Sequence, residues 1–243
     1  MQQWMIYGAN GYTGQLLARA AAQRGLRPIL AGRNRQTISA LANELNLPFR
    51  CFDLNRPQQI CEGLQDIQVV LHCAGPFSAT SGPMIDACLA AGCHYLDITG
   101  EIDVFVAAQQ RQADAEQAGI VLCPGVGFDV IPTDCIAARL KLALHDADRL
   151  ALGFDTHSSL SPGTARTSVE GLKYGGRVRK DDRIQTVPLA YQSREIDFGN
   201  GTKHAVTIPW GDIATAWFTT GIDDIEVFIP MAPSAAARLR RLD

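Results

Sequence analysis

Up to about residue 123 the chain alternates between short apolar runs and segments that have the apolar spacing of a helix. The helical spacing is clear in the first of these segments, where Leu16, Leu17, Ala20 and Ala21 fall on one face. Strand, helix and strand repeated in this way predict a parallel sheet with helices on both faces. We therefore predict an α/β fold, a doubly wound parallel sheet of about six strands. The predicted strands are 4–7, 29–31, 49–52, 67–73, 95–98 and 120–123, and the predicted helices are 12–24, 36–45, 57–64, 83–91 and 104–117.

The alternation of strand and helix patterns ends near residue 125. An irregular loop, Pro124–Asp129, precedes a predicted helix at 133–144, after which strand and turn patterns dominate. This predicts a second, smaller α+β domain, with the division at 1–125 and 126–243. The predicted strands of this part are 150–155, 186–191, 195–198, 205–208 and 225–229, and three arginines between them, Arg177, Arg179 and Arg183, are predicted to lie in a solvated loop.

Composition narrows the class of protein. Apolar residues make up 47% of the chain, which is enough for a sizeable core and excludes a disordered chain. The 22 basic and 25 acidic side chains give a net charge of −3 without a basic block, so no nucleic-acid partner is expected. No apolar run reaches the length of a membrane span, and a glycine motif at residue 8 leaves no room for a signal peptide.

Cysteine usage points to a reducing compartment. The seven cysteines include no Cys-x-x-Cys pair, and most stand in apolar stretches. We predict buried free thiols, a cytoplasmic location and no metal site. His72, His94, Cys73, Cys93 and Cys123 lack metal-binding spacing and are predicted to lie in or near the core.

A glycine-rich loop joins the first predicted strand to the first predicted helix. The spacing Gly-x-x-Gly-x-x-Gly allows a tight turn, close approach of a pyrophosphate and close packing of helix on sheet. This favours dinucleotide binding at the helix N-terminus, although an ordinary glycine-rich turn is the alternative. The candidate residues are Gly8, Asn10, Gly11, Tyr12, Thr13 and Gly14.

The end of the second predicted strand bears on cofactor choice. It carries Ala31-Gly-Arg33 and no carboxylate that could bind the ribose hydroxyls of NAD. A guanidinium suits the 2′-phosphate of NADP, so Arg33 favours NADP over NAD. The alternative is that Arg33 merely starts a solvated loop. Asp53, after the third strand, is a candidate for the adenine edge or a helix cap. The turn after the fourth strand is expected to pass close to the nicotinamide half, with Ala74, Gly75 and Pro76 as candidates.

Carboxylates follow the fifth and sixth predicted strands, at the edge where ligands bind in this architecture. Asp97, Glu101 and Asp129 are the candidates for proton transfer or substrate orientation, with helix capping as the alternative for the first two. No tyrosine is followed four residues later by lysine, which excludes the short-chain dehydrogenase mechanism. Ser158–Arg166 is either an anion site or a plain helix start.

Several motifs together resemble the saccharopine dehydrogenase-like family, nearest to its group that includes trans-acting enoyl reductases. These motifs are Gly8–Gly14, Ala31–Arg33, His72–Phe77, His94–Glu101, Pro124–Asp129, Gly163–Ala165 and Thr207–Asp212. The resemblance implies an NADP-binding Rossmann domain, with the Gly8–Gly14 loop and Arg33 as cofactor contacts. It implies a second domain that roofs the active site and often mediates dimerisation. Members usually run longer, so we expect this domain to be incomplete at its C-terminus.

The resemblance and the residues together lead to a hypothesis of function. We expect hydride transfer from NADPH to a small or acyl substrate, in the manner of an enoyl reductase, by a homodimer. Imine reduction of the saccharopine type is the enzymatic alternative, although no convincing arginine pair for saccharopine's carboxylates is found. A non-catalytic NADP-binding sensor or scaffold is the alternative from another class.

Overall fold

The computed structural model describes residues 3–156, 171 and 174–242. The chain divides into two units, each with its own sheet. The first contains residues 1–99 and 103–128, and the second contains residues 100–102 and 129–243. The Ser158–Arg166 segment lies outside the described residues.

The first unit is built on six parallel strands. Their order, β3-β2-β1-β4-β5-β6, reverses direction between β1 and β4, which is the doubly wound arrangement expected from the sequence. The predicted fold class is thereby confirmed. The strands are β1 (Trp4–Tyr7), β2 (Ile29–Gly32), β3 (Phe49–Cys51), β4 (Val69–His72), β5 (His94–Asp97) and β6 (Leu122–Cys123).

Helices connect these strands, and two differ from the prediction. The fourth begins at Phe77 and continues through Pro83, where the sequence predicted its start. The segment predicted as one helix at 104–117 is broken at Arg111, whose side chain pairs with Asp86 and Asp114. The helices are α1 (Tyr12–Gln23), α2 (Arg35–Leu45), α3 (Pro57–Gly63), α4 (Phe77–Ala91), α5 (Ile102–Gln110) and α6 (Gln112–Ala118).

The central strands of this unit are buried on both faces. Met5 and Ile6 of β1 point to opposite faces of the sheet, and neither is accessible to solvent; Leu30 of β2 and Tyr95 of β5 are equally buried. Each such side chain contributes roughly 1.5–3 kcal/mol to stability by leaving water. This explains why the strands of the first unit are continuous apolar runs in the sequence.

The second unit has a sheet organised around one strand, β12. β12 pairs with β7 in parallel and with β8 and β11 in antiparallel fashion. Helices α7 and α8 pack against each other in this unit. Its elements are α7 (Ile131–Ala143), β7 (Arg149–Gly153), β8 (Gly176–Lys180), β9 (Arg183–Val187), β10 (Ser193–Asp197), β11 (Thr202–Thr207), α8 (Asp212–Thr220), β12 (Asp224–Pro230) and α9 (Pro233–Leu239).

The solvated loop predicted around Arg177, Arg179 and Arg183 is wrong. These residues lie on the antiparallel pair β8–β9. Arg179 is buried, with its guanidinium 4.6 Å from the centre of the Trp217 ring and its Nε donating to the Ile213 carbonyl at 2.8 Å. Its Nη1 also donates to the Asp182 carbonyl at 3.0 Å and pairs with the Asp182 carboxylate at 3.3 Å, so a cation–π contact, carbonyl acceptors and an ion pair together make burial of this arginine possible. Helix α8 was not predicted.

The cysteines are free thiols, but the prediction that they are buried holds only in part. Cys88 and Cys93 are buried, whereas Cys61, Cys123 and Cys135 are exposed. The three exposed cysteines lie on α3, β6 and α7, which also have residues facing solvent. An apolar neighbour in the sequence therefore does not ensure that a thiol is buried.

Membrane-spanning helices and metal clusters are both absent from residues 3–156, 171 and 174–242. Among these residues, no helix has both the length and the apolar character needed to cross a bilayer. The same residues contain no group of three His, Cys, Asp or Glu side chains placed to share a metal ion.

Candidate functional site

The glycine loop lies at the carboxyl end of β1 and is packed too closely for side chains. Gly8 has φ +80°, and a Cβ there would stand 2.7 Å from the Ala74 nitrogen. A Cβ on Gly14 would stand 2.3 Å from the Gly8 carbonyl oxygen. The Gly11 nitrogen donates to that same oxygen at 2.9 Å, which closes the turn. The loop therefore requires glycine at these positions to bring α1 against β1.

Helix α1 starts in a way that suits a bound phosphate. Its N-cap is Gly11, which has extended backbone and no side chain to accept from the first-turn N–H groups. The first turn, from Tyr12 through Thr13, contains no acidic residue. Uncapped N–H groups and the positive end of the helix dipole favour an anion at this position. These residues fit the pyrophosphate of a dinucleotide.

The carboxyl end of β2 places Arg33 beside this loop. Gly32 leaves space that Asn10 fills in part, since a Cβ on Gly32 would stand 3.0 Å from the Asn10 Oδ1. Arg33 is exposed and follows the strand directly, whereas the Arg35 guanidinium lies 5.5 Å from the centre of the Phe49 ring. Of these two arginines, Arg33 is thus the one better placed for a phosphate at the end of β2. Asn34 caps α2 by accepting from the Thr37 nitrogen at 3.1 Å.

Asp53, the candidate for the adenine edge, makes a local turn. Its Oδ1 accepts from the backbone and side-chain nitrogens of Asn55, both at 3.0 Å. The N-cap of α3 is Arg56, without a side-chain cap, so Asp53 does not cap that helix. Nearby, the Tyr7 hydroxyl donates to the Phe52 carbonyl at 3.0 Å, and burial followed by the charge of Asp53 raises the pKa of Tyr7.

The turn of Ala74, Gly75 and Pro76 follows β4 and lies directly against the glycine loop. The Cβ of Ala74 would stand 2.8 Å from a Cβ on Gly8. β1 and β4 are neighbours in the sheet, on either side of the point where the strand order reverses. The turn therefore occupies the crevice where doubly wound sheets bind dinucleotides.

Asp97 ends β5 and is completely buried. Its Oδ2 accepts from the Tyr95 hydroxyl at 2.6 Å, and its Oδ1 accepts from the backbone nitrogens of Thr99 and Gly125 at 2.9 and 2.7 Å. Three donors to one carboxylate hold together the two loops that follow β5 and β6. This geometry suits a positioning residue better than a group that exchanges protons with a substrate.

Glu101 and Asp129 belong to the second unit, whereas Asp97 belongs to the first. The Asp129 carboxylate lies against Gly100, where a Cβ would stand 2.6 Å from its Oδ2. Its backbone carbonyl accepts from the Trp210 Nε1 at 2.8 Å. Burial raises the pKa of Asp129 above its usual value, because an ionised carboxylate is disfavoured away from water. Glu101 is half-buried.

Two further carboxylates, Asp134 of α7 and Asp212 of α8, were missed from the sequence. Asp134 accepts from the Thr215 hydroxyl at 3.1 Å, and burial raises its pKa to about 6. Asp212 is fully buried, and neither of its carboxylate oxygens has a hydrogen-bond partner among the described residues. An aspartate directly before an apolar helix is typical of a capping residue, so the sequence carries no signal for this burial.

Burial is the main reason that the pKa of Asp212 rises to about 7. A hydrogen bond donated by the Thr133 hydroxyl would lower the pKa of Asp212. That hydroxyl instead donates its one proton to the Val130 carbonyl at 3.0 Å. The charge of Asp134 raises the pKa further. Asp212 is thus held as a neutral acid over much of the acidic range.

Comparisons with known proteins agree with this geometry. Residues 4–123 match the model of the saccharopine dehydrogenase NADP binding domain. The chain is 35% identical over 144 residues to a trans-acting enoyl reductase of Mycobacterium ulcerans, an alignment covering 54% of this chain and 33% of that protein. It is 27% identical over 214 residues to the human saccharopine dehydrogenase-like oxidoreductase, covering 76% of this chain and 50% of the human one.

A solved structure shares the fold of the whole chain. Saccharopine dehydrogenase (L-Glu forming) from Saccharomyces cerevisiae matches with a TM-score of 0.69 at 14% identity, covering 100% of this chain and 57% of the yeast enzyme. The chain thus spans between a third and rather more than half of the length of these relatives. Its glycine loop and its parallel sheet both lie within the matched residues 4–123. The chain belongs to the saccharopine dehydrogenase-like family, and residues 4–123 are the NADP-binding domain of that family.

Proposed function

We propose that this chain acts as an NADPH-dependent oxidoreductase that transfers hydride to a small or acyl substrate. The observation that carries the proposal is the uncapped N-terminus of α1 behind a glycine loop that has no space for side chains, with Arg33 following the adjacent strand. A bound NADPH would supply the hydride. The residues of the chain would bind its phosphates at α1 and at Arg33.

An enoyl group is the favoured substrate class. The support is the likeness to proteins named trans-acting enoyl reductase, together with the carboxyl of Asp129, whose pKa burial raises. Reduction of a carbon–carbon double bond requires a proton as well as a hydride, and Asp129 is our candidate to supply or orient it. We assign Asp97 to holding the loops at the carboxyl edge and leave Glu101 as a candidate for substrate orientation.

Exchanging Arg33 for aspartate is the direct test of the cofactor assignment. Arg33→Asp removes a charge-assisted phosphate contact and adds a carboxylate that can accept from ribose hydroxyls, so we expect NADPH affinity to fall roughly 10- to 100-fold and NADH affinity to rise. Titration of both nucleotides by fluorescence measures the ratio. The matched control is Arg35→Asp, which makes the same change in charge at the arginine stacked on Phe49 and should alter the ratio by less than about threefold. Equal ratios in all three proteins would contradict the assignment.

A substrate comparison separates the alternatives for the reaction. NADPH oxidation is followed with an enoyl thioester in one series, and with aminoadipate semialdehyde plus glutamate in another. We expect turnover with the thioester. Turnover only in the second series would instead support imine reduction of the saccharopine type, and tight NADPH binding without oxidation in either series would support a sensor or scaffold.

The homodimer and the cytoplasmic location stay predictions. Several large apolar side chains of α7 and the residues beside it are exposed in the single chain, which is compatible with a subunit contact. Sedimentation of the purified chain at several concentrations would measure the subunit number.

A further inference from the structure

We propose that Thr80 is a positioning residue for the nicotinamide half of the cofactor. Its hydroxyl, bonded to His72, lies within hydrogen-bond distance of two backbone carbonyls of the turn between β4 and α4 and donates its proton there. The inference rests on the proposed function, since it assumes that a dinucleotide occupies the crevice beside this turn.

Three short contacts meet at the Thr80 hydroxyl. Its oxygen lies 2.7 Å from the Ala74 carbonyl oxygen and 3.0 Å from the Pro76 carbonyl oxygen. It also lies 3.0 Å from the His72 Nε2. The Pro76 contact is a bond back along the first turn of α4, but the Ala74 contact reaches across the turn itself. The hydroxyl has one proton to donate, and its shorter contact, to the Ala74 carbonyl, ties α4 to the turn across Gly75.

The direction of these bonds follows from the number of protons. A hydroxyl has one proton, and two carbonyl oxygens can only accept, so the Thr80 proton goes to a carbonyl. The His72 Nε2 must then donate to the Thr80 oxygen. Burial lowers the pKa of His72 to about 3, so the ring stays neutral and keeps this arrangement throughout the physiological range.

The surroundings keep the His72 ring in place. The ring is inaccessible to solvent, and the Tyr7, Phe77 and Tyr95 rings lie 5.5, 5.4 and 6.2 Å from it, centre to centre. Within the part of the chain that the structure describes, its Nδ1 has no hydrogen-bond partner, which costs free energy at a buried site. An apolar side chain would avoid that cost, so the bond from Nε2 to Thr80 is what a histidine adds here.

The position of the turn explains what is gained by fixing it. The turn contacts Gly8 of the glycine loop. It follows β4, which belongs to the half of the sheet formed by β4, β5 and β6. In doubly wound folds, the β1–β3 half binds one nucleotide and the other half binds the second. A fixed turn beside β4 therefore affects the nicotinamide half and leaves the adenosine half alone.

The test compares two ligands in one set of variants. NADPH occupies both halves, whereas adenosine 2′,5′-bisphosphate reaches only the adenosine half. The variants are Thr80→Val, which keeps the shape and removes the hydroxyl, Thr80→Ser, which restores the hydroxyl, and Ser39→Ala as a control. The Ser39 hydroxyl also donates to a carbonyl of its own helix, in a solvent-exposed hydrogen bond on α2. Calorimetry gives both affinities, and thermal unfolding checks the fold.

We expect Thr80→Val to weaken NADPH binding by roughly fivefold to tenfold, and to change binding of adenosine 2′,5′-bisphosphate by less than about twofold. Thr80→Ser should recover most of the NADPH affinity. Equal losses for both ligands, or no loss for either, would overturn the positioning role. If the unaltered chain binds neither ligand, the proposed cofactor function fails instead, so the two failures can be told apart.

Discussion

Gly14→Ala is expected to destabilise the first unit by several kcal/mol and to abolish NADPH binding. The new Cβ would stand 2.3 Å from the Gly8 carbonyl oxygen and 2.8 Å from the Ala9 Cα. Both are backbone atoms, which cannot rotate away as a side chain does, so α1 must move off β1. The helix N-terminus that faces the phosphates moves with it.

The control for Gly14 stands at the other end of the same helix. Gly25 follows α1 with φ +71°, and nothing lies within 4 Å of the position that its Cβ would take. Gly25→Ala should therefore cost only the backbone strain of about 1 kcal/mol and should leave NADPH affinity unchanged. Urea unfolding and NADPH titration of both variants measure the contrast. Similar losses at the two glycines would mean that close packing is not what requires Gly14.

Asp212→Asn is expected to stabilise the second unit at neutral and alkaline pH. The pKa of Asp212 is about 7 in the folded chain and 3.8 as its ordinary value, so the folded state favours the protonated carboxyl. That contribution is fully present below pH 4, and it is lost as the pH rises from about 4 to about 7. Asparagine cannot ionise and avoids this loss. We expect a gain of roughly 2–4 kcal/mol at pH 8 and little gain at pH 4.5.

Unfolding in urea from pH 4.5 to 8.5 measures the difference. Trp4 lies in the first unit, so every protein in the series carries Trp4→Phe, which leaves Trp210 and Trp217 of the second unit to report its transition by fluorescence. Asp146→Asn, at an exposed position, is the matched control and should show the pH dependence of the unaltered chain. Asp134 titrates in the same direction and is still present in the Asp212→Asn variant, so part of the pH dependence will persist. Parallel curves for Asp212→Asn and the unaltered chain would refute the burial argument.

The first unit was predictable because its pattern is local. A parallel strand covered on both faces is a continuous apolar run, and Met5 and Ile6 show why, since neighbouring residues face opposite sides and both are buried. Where prediction failed, the cause was a partner distant in sequence or a misleading signal. The Gly82-Pro83 pair indicated a helix start, whereas α4 begins six residues before Pro83 and accommodates the proline within it.

The second unit was harder because tertiary contacts bury a polar strand, β8. The β8 sequence has three basic residues, and burial of Arg179 depends on the ring of Trp217, the Ile213 carbonyl and the carbonyl and carboxylate of Asp182. The candidate site shows the same limit. The sequence places Asp97 at the end of a strand, but its donor Gly125 comes from the loop after another strand. Position could be predicted, whereas the surroundings that decide between a positioning and a catalytic role could not.

The central place of β12 has a consequence for biosynthesis. The sheet of the first unit is complete once β6 has been made, so that unit can fold while the rest of the nascent chain is still being translated. The second sheet cannot be completed strand by strand during synthesis, because β7, β8 and β11 all pair with β12, which is synthesised after them. Until residues 224–230 leave the ribosome, the strands that the structure describes in this unit remain as two hairpins, β8–β9 and β10–β11, and the single strand β7, all with open edges. Those edges are the segments of the chain that most need protection from aggregation during synthesis.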